Sequence, residues 1–290
     1  MSLKTEWKKI ETRVREWWHG FVEKHIVAPD PYDNEGDAID LGGGVGSASK
    51  GLPTPSRASC WEGSSAQTRH MNVLSPKFTD EKVADRFQWA VERGCNTVHL
   101  FVANQGDGEG SGYTIYGGAP ALGKPDKATV EMMARRLRVA RGKGLSVVLW
   151  LMADDSSKWN KTLLGNPKQY AADLKASGLL DQACAVVLGL EMDEYMSSSQ
   201  AKELAAAIRG VYDGPVGTHH TSGKSTFASL GDFVCWQVKP GKSEAQIEST
   251  VLGARKSVGK PVVMFELARN PNRALCEAAF RGGAAGVGNW

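Results

Sequence analysis

The sequence predicts an α/β fold in which eight strands alternate with helices and close into a (β/α)₈ TIM barrel. Three observations predict it. Short uncharged apolar runs recur along the chain, amphipathic stretches separate most of them, and polar residues gather just past the end of each run. Apolar runs without alternation mark parallel strands buried on both faces, and strand–helix alternation marks a parallel sheet. A doubly wound open sheet would carry a glycine fingerprint after its first strand. None follows Trp61 or Ala103.

The chain opens with a helix over residues 4–25, where Trp7, Ile10, Val14, Trp17, Trp18, Phe21 and Val22 recur at helical spacing. That stripe requires burial. Because the sequence stops on the eighth strand, the amino-terminal helix is expected to fill the place of the missing last helix; oligomerisation through the same stripe is the rival. Residues 29–59 are irregular and rich in glycine and proline. The chain thus divides into residues 1–56, an amino-terminal helix with an irregular segment, and residues 57–290, the barrel.

Ala58–Trp61 is a weak first strand. Thr79 or Asp80 caps a helix that runs to Arg93, where Gly94 ends it. Asn96–Ala103 is the second strand, followed by the glycine-rich stretch from Asn104 to Tyr113. A loop so long is generally functional or mobile. A basic helix over 125–142 leads to the third strand, Leu145–Met152, and a helix over 166–177 to the fourth, which starts at Ala185. A helix over 198–209 precedes the fifth strand, Pro215–His220. Only a short turn or helix fits before the sixth, Asp232–Val238. The helices 243–258 and 271–281 frame the seventh, Lys260–Leu267, and Ala284–Trp290 is the eighth.

Composition excludes several function classes. A net charge of +3 with no basic cluster among aromatics argues against nucleic acid, and no apolar run reaches the ~20 residues of a membrane span. The five cysteines are scattered without metal-like spacing and are expected to be free and reduced. The charged amino terminus does not resemble an export signal. Gly42-Gly-Gly-Val-Gly-Ser is not followed by Gly-Lys-Ser/Thr, so no nucleotide cofactor is expected.

The candidate chemistry lies at the strand ends, where barrel enzymes keep it. On the fourth strand Val187, Gly189, Glu191 and Asp193 share one face and are expected to point inward; on the seventh, Val262, Met264 and Glu266 share one. Both glutamates can then point into one cavity. Asn104 follows the second strand, His219 and His220 end the fifth, Trp236 and Gln237 the sixth, Trp290 the eighth. Adjacent histidines on a strand face opposite ways, so a shared metal is not expected. Asp193 either raises the proton affinity of its neighbour Glu191 or serves as an ion-pair partner or cap. Trp61, Tyr113, Tyr116, Trp159, Tyr195, Trp236 and Trp290 cluster toward the same end, and aromatic faces stack on sugar rings.

Two glutamates ending the fourth and seventh strands, with Trp290 ending the eighth, resemble the layout of the clan A retaining glycoside hydrolases over residues 57–290. The resemblance implies Glu191 as general acid/base and Glu266 as nucleophile, acting on an oligo- or polysaccharide without cofactor or metal. It leaves Asn104, Asp193, His219, His220, Trp236, Gln237 and Trp290 as substrate-binding candidates. Where that clan has Asn before the acid/base, this chain has Leu190. That departure favours the alternative, a non-catalytic carbohydrate-binding or structural module on a degenerate barrel. A barrel lyase, aldolase or metal hydrolase would use the same strand ends, but no strand-end lysine offers a Schiff base.

Overall fold

The computed structural model describes residues 72–288 except 93–94, 106–111, 154–156, 222–224, 239–240, 266 and 268–272, all within the unit Ile39–Trp290. The amino-terminal helix, the first predicted strand, the 56/57 boundary, Trp61, Glu266 and Trp290 lie outside the described residues. Seven strands form one parallel sheet in chain order: β1 (Thr97–Phe101), β2 (Ser146–Trp150), β3 (Ala185–Val187), β4 (Val216–His220), β5 (Phe233–Gln237), β6 (Val262–Phe265) and β7 (Gly286–Val287). They match the second to eighth strands expected from sequence. Helix α1 (Asp80–Glu92) precedes β1, and between the strands run α2 (Lys127–Gly142), α3 (Ser157–Gly165), α4 (Pro167–Ala176), α5 (Met192–Tyr195), α6 (Ser198–Arg209), α7 (Glu244–Val258) and α8 (Arg273–Arg281). No described helix is long and apolar enough to cross a membrane.

Helix starts follow local chemistry. Asp126 caps α2 by accepting from Thr129 N, and Ser197 with Gln200 and Ser243 with Gln246 form capping boxes on α6 and α7. Gly259, in the left-handed region at φ 63°, ends α7. Helices α3 and α5 were not foreseen; the four residues of α5 make little more than one turn, too short for an amphipathic pattern to register.

The sheet is curled. His99 on β1 and Phe265 on β6 have ring centroids 5.4 Å apart, yet five strand spacings would hold them about 24 Å apart in a flat sheet. Trp150 lies between them, 5.9 Å from His99 and 4.7 Å from Phe265, and His219 completes the interior ring 5.3 Å from Trp150. Register extends this face to Val148, Ala185, Val187, Gly217, Phe233, Cys235, Gln237 and Val263. At Gly217 the bare backbone is required: a Cβ there would lie 2.4 Å from the Phe233 ring. The other face, with Leu100, Leu149, Val186 and Met264 fully buried, meets the helices.

Two expectations need correction. Strand β3 stops at Val187, so simple alternation does not carry Glu191 inward. On β6 the interior residues are Val263 and Phe265, not Val262 and Met264.

Candidate functional site at the carboxyl ends of the strands

Glu191 reaches the mouth by a turn. After β3 the chain keeps two more pairings, Leu188 N–H to Gly217 O and Leu190 N–H to Met152 O, both at 3.0 Å, and then reverses into the left-handed region at Glu191, φ 43° and ψ 46°. Glu191 is the sole non-glycine with positive φ among the described residues. For an L-residue this costs about 1 kcal/mol, and strain of this kind gathers at functional sites. The turn is braced from both sides. Glu191 N–H donates to His219 Nδ1 at 2.8 Å, and Glu191 Oε1 accepts from Gln237 Nε2 at 2.8 Å. One residue from β4 thus holds the backbone and one from β5 the carboxylate.

The residues around the turn are fitted to it. Asp193 accepts from Thr221 N at 2.8 Å and Thr221 Oγ1 at 2.7 Å, which ties α5 to the end of β4. Gly189 leaves room for Tyr195: a Cβ at Gly189 would meet the Tyr195 hydroxyl at 2.3 Å. Sequence reasoning had placed Tyr195 among the mouth aromatics but offered no signal for its seat over Gly189, since that contact spans a turn of irregular backbone. Trp159 on α3 packs over Gly112, whose Cβ would lie 2.4 Å from the indole. Asn160, which sequence reasoning missed, donates to Ala153 O at 2.7 Å while its buried Oδ1 has no hydrogen-bond partner.

The two histidines part company, as strand alternation requires. The His219 ring is fully enclosed between Trp150 and Phe265, with its Nε2 buried and unpartnered. Burial pushes its imidazole down to about 3; His220 lowers it further and Asp193 works the other way. Its Nδ1 therefore stays a neutral acceptor. His220 lies on the opposite face, where its Nε2 accepts from Phe227 N at 3.0 Å, and burial holds it at about 4. Trp236 is paired with His220 in register and shares that face, 9% exposed, apart from Gln237.

Asn104 is anchored beside the end of β1. It forms a two-bond backbone bridge with Tyr113, and its Nδ2 donates to Asn72 Oδ1 at 2.7 Å. The Tyr113 hydroxyl donates to Phe101 O at 3.1 Å. Tyr116 likewise turns away, donating to Asp173 on α4 at 2.8 Å. The structure therefore brings Glu191, Asp193, His219 and Gln237 together and sets His220 and Trp236 on the opposite face of the sheet. Among the described residues no group of three His, Cys, Asp or Glu side chains is arranged to hold a metal ion.

No protein-family model matches the chain, and no curated protein is matched by its sequence. Its fold is similar to solved glycoside hydrolase structures. An endo-1,4-β-mannanase from Eisenia fetida is 12% identical with a TM-score of 0.56, covering 82% of this chain and 84% of its own. An exo-β-1,4-mannosidase from Opitutaceae bacterium strain TAV5 is 17% identical with a TM-score of 0.54, covering 82% of this chain and 55% of its own. A candidate glycoside hydrolase from Bacteroides vulgatus ATCC 8482 is 14% identical with a TM-score of 0.56, covering 82% and 51%. The chain spans about half the length of the last two. At these identities the likeness establishes the fold: this is the parallel, helix-covered, TIM-barrel-like fold of those proteins.

Proposed function

We propose that the chain is a retaining glycoside hydrolase acting on an oligo- or polysaccharide, with residues 57–290 as its catalytic barrel. The observation that carries the reading is Glu191: a strained, partly buried carboxylate at the carboxyl end of β3, gripped through its backbone by His219 and through Oε1 by Gln237. Barrel enzymes place their chemistry at this end. The names of the structural relatives, two of them β-1,4-mannan-type glycosidases, favour a carbohydrate substrate.

In this reading the Glu266 carboxylate attacks the anomeric carbon and the glycosidic C–O bond breaks. Glu191 gives its proton to the departing oxygen, leaving a glycosyl ester on Glu266. Glu191, now a carboxylate, takes a proton from water as that oxygen attacks the same carbon, which frees Glu266 with net retention. Gln237 orients the Glu191 carboxyl group through both steps. Asp193 holds α5 against β4 beside it, and the aromatic side chains near the mouth, Trp159 among those described, offer faces for sugar rings.

Anomeric configuration followed by proton NMR on an aryl glycoside tests the scheme. Retention is expected, with a glycosyl adduct trapped on Glu266 by a 2-fluoro sugar. Inversion, or full activity in Glu191→Ala, would sink it. Buried Leu190 supports a second reading, a carbohydrate-binding barrel without turnover, because an apolar side chain there gives no hydrogen bond to a sugar hydroxyl. Glycan binding by the wild-type chain with no hydrolysis would favour that reading.

A further inference from the structure

We infer that His219 is a positioning residue: its Nδ1 fixes the left-handed turn at Glu191 and, through it, the place from which the Glu191 carboxyl group acts. The inference rests on the acid/base role proposed for Glu191. Neighbouring backbone groups are bonded within the backbone, Leu190 N–H to Met152 O and Glu194 N–H to Glu191 O. The Glu191 N–H instead finds its acceptor in a side chain of the next strand. A conformation that L-residues disfavour persists only where surrounding structure over-determines it, and this bond is the contact on the turn's own amide.

The ring is built for holding. It is fully buried, with Trp150 at 5.3 Å and Phe265 at 5.8 Å, so it has no freedom to swing away. Because Nδ1 accepts, the proton of the neutral ring sits on Nε2, and that donor is buried with no partner. An orphaned buried donor is destabilising. An apolar side chain of similar shape would avoid that cost, but it would also lose the acceptor under Glu191. This differs from the sugar-contacting role expected from sequence, which an enclosed ring does not suit.

The experiment compares the full-length wild-type chain with His219→Phe, which keeps a ring and removes the acceptor, and His219→Asn, whose Oδ1 stands near the place of Nδ1. Two readouts are taken. Amide hydrogen exchange at Glu191 should quicken at least about 100-fold in His219→Phe, with neighbouring β3 amides unchanged, and return toward wild type in His219→Asn. On aryl glycosides, His219→Phe should lose about 10²-fold in kcat/KM with a phenol leaving group and under about 5-fold with dinitrophenol, since only the poor leaving group needs the acid. His219→Asn should recover most of that loss.

Unchanged exchange at Glu191 in a folded His219→Phe overturns the inference whatever the activity. So does an equal loss on both leaving groups, which would mean general misfolding. Should His219→Phe not fold, His219→Asn decides: exchange and leaving-group dependence near wild type support the inference, and a Phe-like loss overturns it. A wild-type chain that turns over no glycoside defeats the proposed function instead, while the exchange result still decides whether His219 holds the turn.

Discussion

Arg136 and Glu191 are both charged residues set in apolar surroundings, and the structure treats them in opposite ways. Arg136 sits in the regular backbone of α2, 3% exposed. It donates to Val73 O at 2.8 Å, Ser75 O at 2.7 Å and Phe78 O at 2.5 Å, and pairs with Asp80 at 3.0 Å. Bonds from Arg135 and Arg136 in turn hold the Asp80 carboxyl below the usual carboxylate range. Glu191 lies on strained backbone, partly exposed, and is gripped by two neutral side chains. The first arrangement saturates a charge and clamps a loop. The second strains the backbone to present a carboxyl group, and under the proposed function this contrast separates a structural charge from a working carboxyl group.

The contrast breaks most directly if Glu191 proves dispensable. Glu191→Gln is expected to lower kcat on phenyl-type glycosides by about 10²–10⁴-fold, the usual weight of a general acid, with little change in melting temperature. On Glu191→Ala, azide should restore part of the rate with activated substrates. Steady-state kinetics and a thermal melt on the same samples decide it, and a variant losing stability but not rate would reverse the assignment.

Arg136→Met should show the mirror image. Removing the donors leaves three carbonyls and Asp80 without their shared partner, a loss of about 3–5 kcal/mol, measured by urea unfolding. Activity per folded molecule should stay near wild type. A loss below about 1 kcal/mol would mean that water replaces the guanidinium with ease.

Acid sharpens the comparison next. His99, His219 and His220 are buried and neutral, held at about 3, 3 and 4 by desolvation. The unfolded chain binds protons at these residues below about pH 6.5, where the folded chain does not. The stability they confer is therefore complete above that pH and drains away as pH falls toward 4. Each adds roughly 1 kcal/mol per pH unit to the slope. A stability curve flat from pH 6.5 to 4.5 would contradict their burial.

The smallest effect isolates the backbone strain. Glu191→Gly and Glu191→Ala both lose the bond to Gln237, but only alanine keeps a Cβ in the left-handed region. Glycine should be the more stable variant by about 1 kcal/mol, some 2–4 °C in a chain of this size. Alanine equal to glycine would show that the turn relaxes once the carboxylate is gone.

The sequence by itself determined the order of the seven described strands and all but two of the helices. Apolar runs such as Leu145–Met152 have one cheap solution, a buried parallel strand, and Ser197 with Gln200 caps a helix through contacts three residues apart. Such signals are local, so the chain states them outright. It also placed Glu191, His219 and Gln237 at strand ends, because polar residues closing apolar runs have nowhere else to go. Only the tertiary structure decided which way they face. Strands buried on both sides are apolar on both sides, so alternation pairs Val263 with Phe265 but cannot say that this pair, rather than Val262 and Met264, lines the interior. The left-handed turn at Glu191 was equally out of reach. It exists because His219, 28 residues on, offers an acceptor from an adjacent strand, and a conformation held by a distant partner leaves no mark on the residues that adopt it.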